Sequence, residues 1–265
     1  MNSIKFCKWW IDWMDEETRK NASEKQAAMS FLIGYPDELL NDEKLENNWV
    51  HQGLVAIVDA FYYPQGNSII IPAGILHGSF FSHNRPKYMN YGAIGLTISN
   101  ELTHGFDGTG RQMDKHGNLK NWWTSTTNKR FIRESQCIRD QYGNYTVEEI
   151  GKKLNSKHTI GENIADIGGI NIAYLAYKNW SKKHEKEQSL AGLLYSPQQM
   201  FWISTATIMC SKMQPEYLAD MIIEDVRSPN EFRIIGPFSN SPEFAKDFNC
   251  PLGSRMNPEN KCRFW

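Results

Sequence analysis

Nothing in this 265-residue chain offers a run of about 18 apolar residues, so the sequence contains no candidate bilayer-spanning segment. Its opening stretch, MNSIKFCKWWIDWMDEETRK, mixes aromatic and charged side chains. It lacks the apolar centre and small-residue cleavage site of a secretory signal. Basic residues are not in excess. The 29 Lys and Arg stand against 30 Asp and Glu, a net charge of −1, which argues against a nucleic-acid partner. No C-x-x-C pair occurs. The five cysteines, at 7, 137, 210, 250 and 262, are widely spaced. That spacing disfavours a cysteine zinc site and suits disulfides, with one thiol left unpaired or paired outside the chain. There are no internal repeats and no low-complexity tract.

What is present is globular in character: 40% hydrophobic and 12% aromatic residues, in a chain long enough for one large domain or two small ones. Three N-x-[ST] sequons, at Asn21, Asn144 and Asn179, join the cysteines in leaning towards an extracellular setting. Residues 13–33 are rich in helix formers, and Gly34-Tyr35-Pro36 supplies a stop. A polar loop is expected over 36–53. VAIVDAFYYP (55–64) and NSIIIPAG (67–74) read as two strands split by Pro64-Gln65-Gly66. Apolar and small residues over 91–106 predict a helix that packs deep in a core, followed by a Gly-rich irregular stretch over 107–125. Helices are also expected over 126–142, over 159–180 with Thr159 as a candidate N-cap, and over 196–210. Residues 181–190 read as a solvated charged turn, and the tail from 211 as loop-rich.

The chemistry gathers at SNELTHGFD (99–107). In H-E-x-x-H, two His on one helical face bind zinc and the Glu acts as general base on the metal-bound water. Here Glu101 and His104 stand in place, and the first His is Asn100. About 60 residues on, GENIAD carries Glu162 and Asp166 one helical turn apart. Glu162 is a candidate third ligand, and Asp166 and Asp107 are candidate hydrogen-bond partners for a ligand imidazole. E-x-x-H alone occurs often by chance, and His104 alone would read as a structural histidine. The two carboxylate-bearing apolar helices together are what point to a metal site, because such carboxylates are expensive unless paired or metal-bound.

Further stretches extend the pattern: WMDEETRKNASEKQAA, IGYPDEL, AFYYP, PAGIL, NYGAIG, ELTHGFD, SQCIRDQYGNY, GENIADIGG, QPEY, FRIIG and NPENKCRFW. With these the chain resembles the C-terminal catalytic part of the neprilysin family, the M13 zinc metallopeptidases. The resemblance runs over nearly the whole chain. It implies a mainly α fold with a small β-sheet (α+β), of the thermolysin-like gluzincin kind. Residues 1–40 would be a helical remnant leading into the catalytic lobe, and 55–265 the catalytic domain. It also implies zinc as cofactor, a peptide as substrate or ligand, and an extracellular or plasma-membrane ectodomain setting. A membrane anchor and a capping N-terminal lobe would belong to the family but not to this sequence.

Residue by residue, the resemblance places Glu101 at the general base, and His104 and Glu162 at zinc ligands. Asp166 and Asp107 fall on the residues that orient them, and Arg233 on an arginine that donates to a substrate carbonyl. Ala60 lies on the peptide-pairing strand. Ile75, Phe80, Leu96, Thr97, Ile208 and Met209 fall around the pocket for the residue after the scissile bond, with Met209 where the family often has Trp. Cys137 and Cys262 match a family disulfide. Cys210 and Cys250 match cysteines whose partners lie in the N-terminal lobe, and Cys7 has no counterpart.

Three departures touch the chemistry. Asn100 replaces the first zinc His, and an amide oxygen is a poorer zinc donor than imidazole. Arg227 replaces the His that stabilises the oxyanion. Asp59 replaces an Asn whose amide pairs with substrate backbone, and a carboxylate only accepts hydrogen bonds. The expectation is a catalytically impaired peptidase domain that binds peptides or a partner. One alternative is an active zinc endopeptidase with a substitute ligand, His77 or His83 being candidates. The other is a non-functional fragment.

Overall fold

The structure is a computed structural model and describes residues 13–35 and 55–265. The expected loop over 36–53, Cys7, and the rest of residues 1–12 lie outside the described residues.

Helix α1 spans Glu16–Ala27. Asp15 caps it, accepting from the Thr18 N–H at 2.9 Å. The same carboxylate accepts from the hydroxyls of Thr124 and Thr127, which fastens α1 to the start of a distant helix. Partial burial opposes the charge, but these hydrogen bonds hold the Asp15 carboxyl well below the usual carboxylate range. Asp15→Ala is therefore expected to cost about 1–3 kcal/mol in urea unfolding at neutral pH. The stabilisation is present above the unfolded-state carboxyl value and fades as pH falls towards the folded-state one. A loss under about 0.5 kcal/mol would show that the cap contributes little.

The helical reading of 13–33 is too long. After Ala28, the residues Ser30–Gly34 form strand β1, parallel to β3 (Ser68–Pro72), with Phe31 opposite Ile69. A β-rich Phe-Leu-Ile run beside an available strand overrides local helix preference. The predicted strand 55–64 shrinks to β2, Phe61–Tyr63, antiparallel to β3. The sheet order is β1-β3-β2, so among the described residues β1 and β2 are its edge strands.

The predicted helix 91–106 is two helices. α2 (Lys87–Gly92) ends at Ala93, whose ψ of −91° leaves the helical region, and α3 (Ile94–His104) starts anew. The Ile94 N–H turns away to the Phe80 carbonyl, 3.1 Å off. Helix α4 (Ser125–Gly143), the small hairpin β4 (Thr146–Val147) and β5 (Lys152–Lys153), helix α5 (Ile160–Ser181) and helix α6 (Pro197–Ile208) follow. Thr159 precedes α5 without capping it through its side chain. Its hydroxyl accepts instead from Asn163 Nδ2 at 2.9 Å.

The tail is helical rather than loop-rich: α7 (Pro215–Glu224), α8 (Asn230–Asn240) and α9 (Pro242–Asp247). Pro215 and Pro242 open helices at positions where a missing N–H costs nothing. Pro237 sits inside α8 without ending it.

Helix α5 runs between two cores. Ile164 and Ile167 belong to one, built with Met14, Ala22, Ile69, Ile71, Ile138 and Phe264. Ile170, Ala173 and Tyr177 belong to the other, with Tyr88, Leu96, Phe201 and Trp202. Residues of the 13–35 segment thus share a core with the C-terminal residues. Cys137 and Cys262 form a disulfide that closes a 125-residue separation, as the resemblance implied. Cys210 and Cys250 are free. Asn144 and Asn179 are exposed, whereas Asn21 donates to the Trp122 carbonyl.

Candidate functional site

Helices α3 and α5 cross closely because α5 presents Gly168-Gly169 to its neighbour. A Cβ on Gly169 would lie 2.9 Å from the Asn100 backbone nitrogen, and one on Gly168 would lie 2.7 Å from Thr103 Cγ2. Only glycines permit this approach. It brings Asn100 and His104 of α3 against Glu162 and Asp166 of α5.

Asn100, 6% exposed, donates its amide to Asp166 Oδ1 at 2.8 Å. The Asp166 carboxylate also takes a two-pronged contact from Arg233, whose Nε and Nη2 each lie 2.8 Å away. His104 Nδ1 pairs with Asp107 Oδ2 at 2.8 Å, and its Nε2 faces Glu162 Oε1 at 3.5 Å. Asp107 is fixed in turn by the N–H groups of Thr109 (2.8 Å) and Gly110 (2.7 Å). Arg227 Nε lies 3.6 Å from Glu162 Oε2, and Arg227 Nη2 lies 3.4 Å from Asp59 Oδ2. Two of the three residues singled out as departures, Asp59 and Arg227, thus pair with each other.

The electrostatics follow from burial and pairing. Burial lifts the Glu101 carboxyl to about 7; the His104 and Arg227 charges oppose that, and Glu162 and Asp59 add to it. Burial would also lift Glu162, but the His104 contact and the charges of His104, Arg233 and Arg227 hold it at about 2. His104 is shifted well above the ordinary histidine value; burial opposes the shift, and the carboxylates of Asp107 and Glu162 drive it.

A cavity of about 250 Å³ opens here, lined by Ala60 and the first β2 residue, Phe61, together with Glu101, His104, Glu162 and Arg227. Asn100, Asp166 and Arg233 lie behind it, not on its wall. The residues expected around the side-chain pocket pack in both cores, and none of them lines this cavity. Ile75 and Phe80 belong to the first, and Leu96, Ile208 and Met209 to the second. Thr97 is bonded back to the Ala93 carbonyl. His77 and His83 are exposed and line no wall of this cavity, so neither stands ready as a substitute ligand.

A catalytic zinc takes three protein donors and a water. The cleft presents one imidazole and one carboxylate facing each other, His104 Nε2 and Glu162 Oε1 at 3.5 Å. The third position holds an amide whose nitrogen is engaged with Asp166, and whose side chain ends short of where a second ring nitrogen would stand. Two guanidinium groups already neighbour the carboxylate, Arg233 Nη2 lying 3.9 Å from Glu162 Oε2. Among the described residues no group of three or more His, Cys, Asp or Glu is arranged to hold a metal ion. This donor set does not fit a tightly held zinc.

Sequence reasoning missed the Gly168-Gly169 contact, the Asp59–Arg227 pair and buried Lys25. The first was legible as a small-residue pair on an apolar helix; the second needed the fold.

A family model for Peptidase family M13 matches residues 59–264. Neprilysin-2 of Drosophila melanogaster is 44% identical over 96% of this chain, and endothelin-converting enzyme 1 of Homo sapiens is 39% identical over the same share. In each case the match covers 38% of the relative, so the chain spans well under half the length of these proteins. The inhibitor-bound crystal structure of the zinc metalloprotease Zmp1 of Mycobacterium tuberculosis superposes with a TM-score of 0.82. It is 29% identical over 94% of this chain and 42% of that one.

Proposed function

The chain belongs to peptidase family M13, and on that premise we propose that it is a degenerate peptidase domain that keeps a peptide-binding cleft and has lost efficient hydrolysis. The carrying observation is the 2.8 Å hydrogen bond from the Asn100 amide to Asp166. It satisfies the orienting carboxylate while offering no nitrogen on the cleft side. Without a firmly held metal, no water is acidified towards neutral pH and no scissile carbonyl is polarised.

The peptide half of the reading rests on the β2 edge. A strand that is an edge among the described residues and lies beside a cavity is suited to pairing with an extended chain. Ala60 and Phe61 line the cavity beside it. Arg227 on the cavity wall offers a donor for a peptide C=O group, and Asp59, paired with it, an acceptor for a peptide N–H. Arg233 is the candidate donor to a ligand carbonyl, with Ile75, Phe80 and Met209 around the neighbouring side chain. The Cys137–Cys262 disulfide supports an oxidising, extracellular setting. No helix among the described residues is long and apolar enough to cross a membrane.

The test is isothermal titration of the chain with a panel of short extended peptides, with each mixture then analysed for cleavage by mass spectrometry. Binding without cleavage is expected. Absence of binding across the panel would remove the peptide-binding reading. Cleavage that is abolished by a chelator and by Glu101→Gln would instead establish the chain as a working endopeptidase. The Glu101 value of about 7, suited to a general base, favours that second reading.

A further inference from the structure

Lys25 is a charged side chain in an interior position, 1% exposed. Among the described residues no carboxylate lies within salt-bridge range of it. Its Nζ donates to three backbone carbonyls: Gly105 at 2.7 Å, Gly110 at 2.6 Å and Met113 at 2.8 Å. That uses every proton an ammonium has. The rings of Tyr62, Phe106 and Trp122 surround it, with centroids 5.6–5.8 Å away. Burial pulls the group down to about 8, with Asp107 and Asp114 opposing. A buried lysine is expensive to keep, and a methionine of similar length would fill the space without desolvating a charge.

What the ammonium gathers is one wall of the cleft. The three carbonyls belong to the turn that follows α3, which holds Asp107, Thr109 and Gly110 against the cavity. The backbone of the same residue reaches the other wall. The Lys25 carbonyl accepts from Asn67 Nδ2 at 3.0 Å, and Asn67 Oδ1 accepts from the Tyr62 hydroxyl at 2.9 Å. Tyr62 stands on β2 and lines the cavity.

We propose that Lys25 is a positioning residue of the cleft: its ammonium clamps the 105–113 turn so that Asp107 meets His104 in a fixed geometry. Helix α1, which lies outside the 59–264 family match, is thereby part of the site's machinery. The proposal is independent of whether the cleft cleaves or only binds peptides.

The test compares Lys25→Met and Lys25→Gln with the natural chain by NMR. Three signals are followed: amide exchange at Thr109 and Gly110, whose N–H groups donate to Asp107; the His104 ring N–H resonance; and amides of α6 as a remote control. In Lys25→Met the Thr109 and Gly110 amides should exchange about 10-fold faster or more, with the α6 amides unchanged. The His104 ring signal should move as its Asp107 contact loosens. Lys25→Gln keeps two donor protons and should fall between, and it decides the matter alone if the methionine variant does not fold. Unchanged Thr109 and Gly110 exchange overturns the proposal. So does equal acceleration in α6, which would mean that Lys25 supports the fold generally and not this turn.

Discussion

Asn100→His should raise the affinity of the chain for zinc by a factor of about 10²–10³. Four-ligand structural zinc sites bind with roughly 10–16 kcal/mol, so one ligand supplies about 2.5–4 kcal/mol, which is that factor. The surroundings are prepared for it. Asp166 already accepts from residue 100 at 2.8 Å. A histidine there keeps a ring N–H in that bond and turns its other nitrogen towards His104 Nε2 and Glu162. Zinc affinity of the natural chain and of the variant alike should rise with pH, because His104 must shed its proton to bind metal in either. Its imidazole is shifted well above the ordinary value: burial opposes the shift, and the Asp107 and Glu162 carboxylates outweigh it. Competition against a chromophoric chelator reads the affinity. Equal zinc binding by the natural chain and the variant would mean that Asn100 is not what limits the site.

Arg233→Met should destabilise the chain by about 3–5 kcal/mol, the usual cost of removing one partner of a buried ion pair. Asp166 is 3% exposed, and Arg233 supplies two of its hydrogen bonds at 2.8 Å each. Without the guanidinium the carboxylate stays buried with the Asn100 amide as its remaining donor among the contacts described. For a chain of this size the loss corresponds to a Tm lower by roughly 6–20 °C. Removing both charges, in Asp166→Leu with Arg233→Met, should recover much of the loss, because the desolvation cost then disappears with the pair. A single-variant loss below about 1 kcal/mol would contradict the account, showing that Asp166 is not left as an uncompensated buried charge when Arg233 is removed.

The helices that carry the chemistry were legible because their signals are local. Apolar runs with E-x-x-H and GENIAD on them specify the two cleft helices, and those residues do converge. The tail reads as loop-rich in sequence yet is helical, with Pro215 and Pro242 standing at helix starts where proline is at home. The Phe31-Leu32-Ile33 strand was missed because its partner lies 38 positions on, at Ile69. Non-local pairing leaves no trace in a window of neighbouring residues. The Asp59–Arg227 contact joins residues 168 positions apart. In sequence they read as two separate positions; in space they are neighbours. The carbonyl cage of Lys25 could not be read at all, since backbone acceptors carry no sequence signature.

The most direct test of the account is the zinc content of the natural chain. The protein would be equilibrated with an equimolar amount of zinc at neutral pH, freed of unbound metal, and measured by elemental analysis. The account predicts well under one zinc per chain, since one imidazole and one carboxylate beside two guanidinium groups make a weak site. One firmly held zinc per chain would contradict it. It would show that another donor completes the site, and would return the chain to the working peptidases of its family.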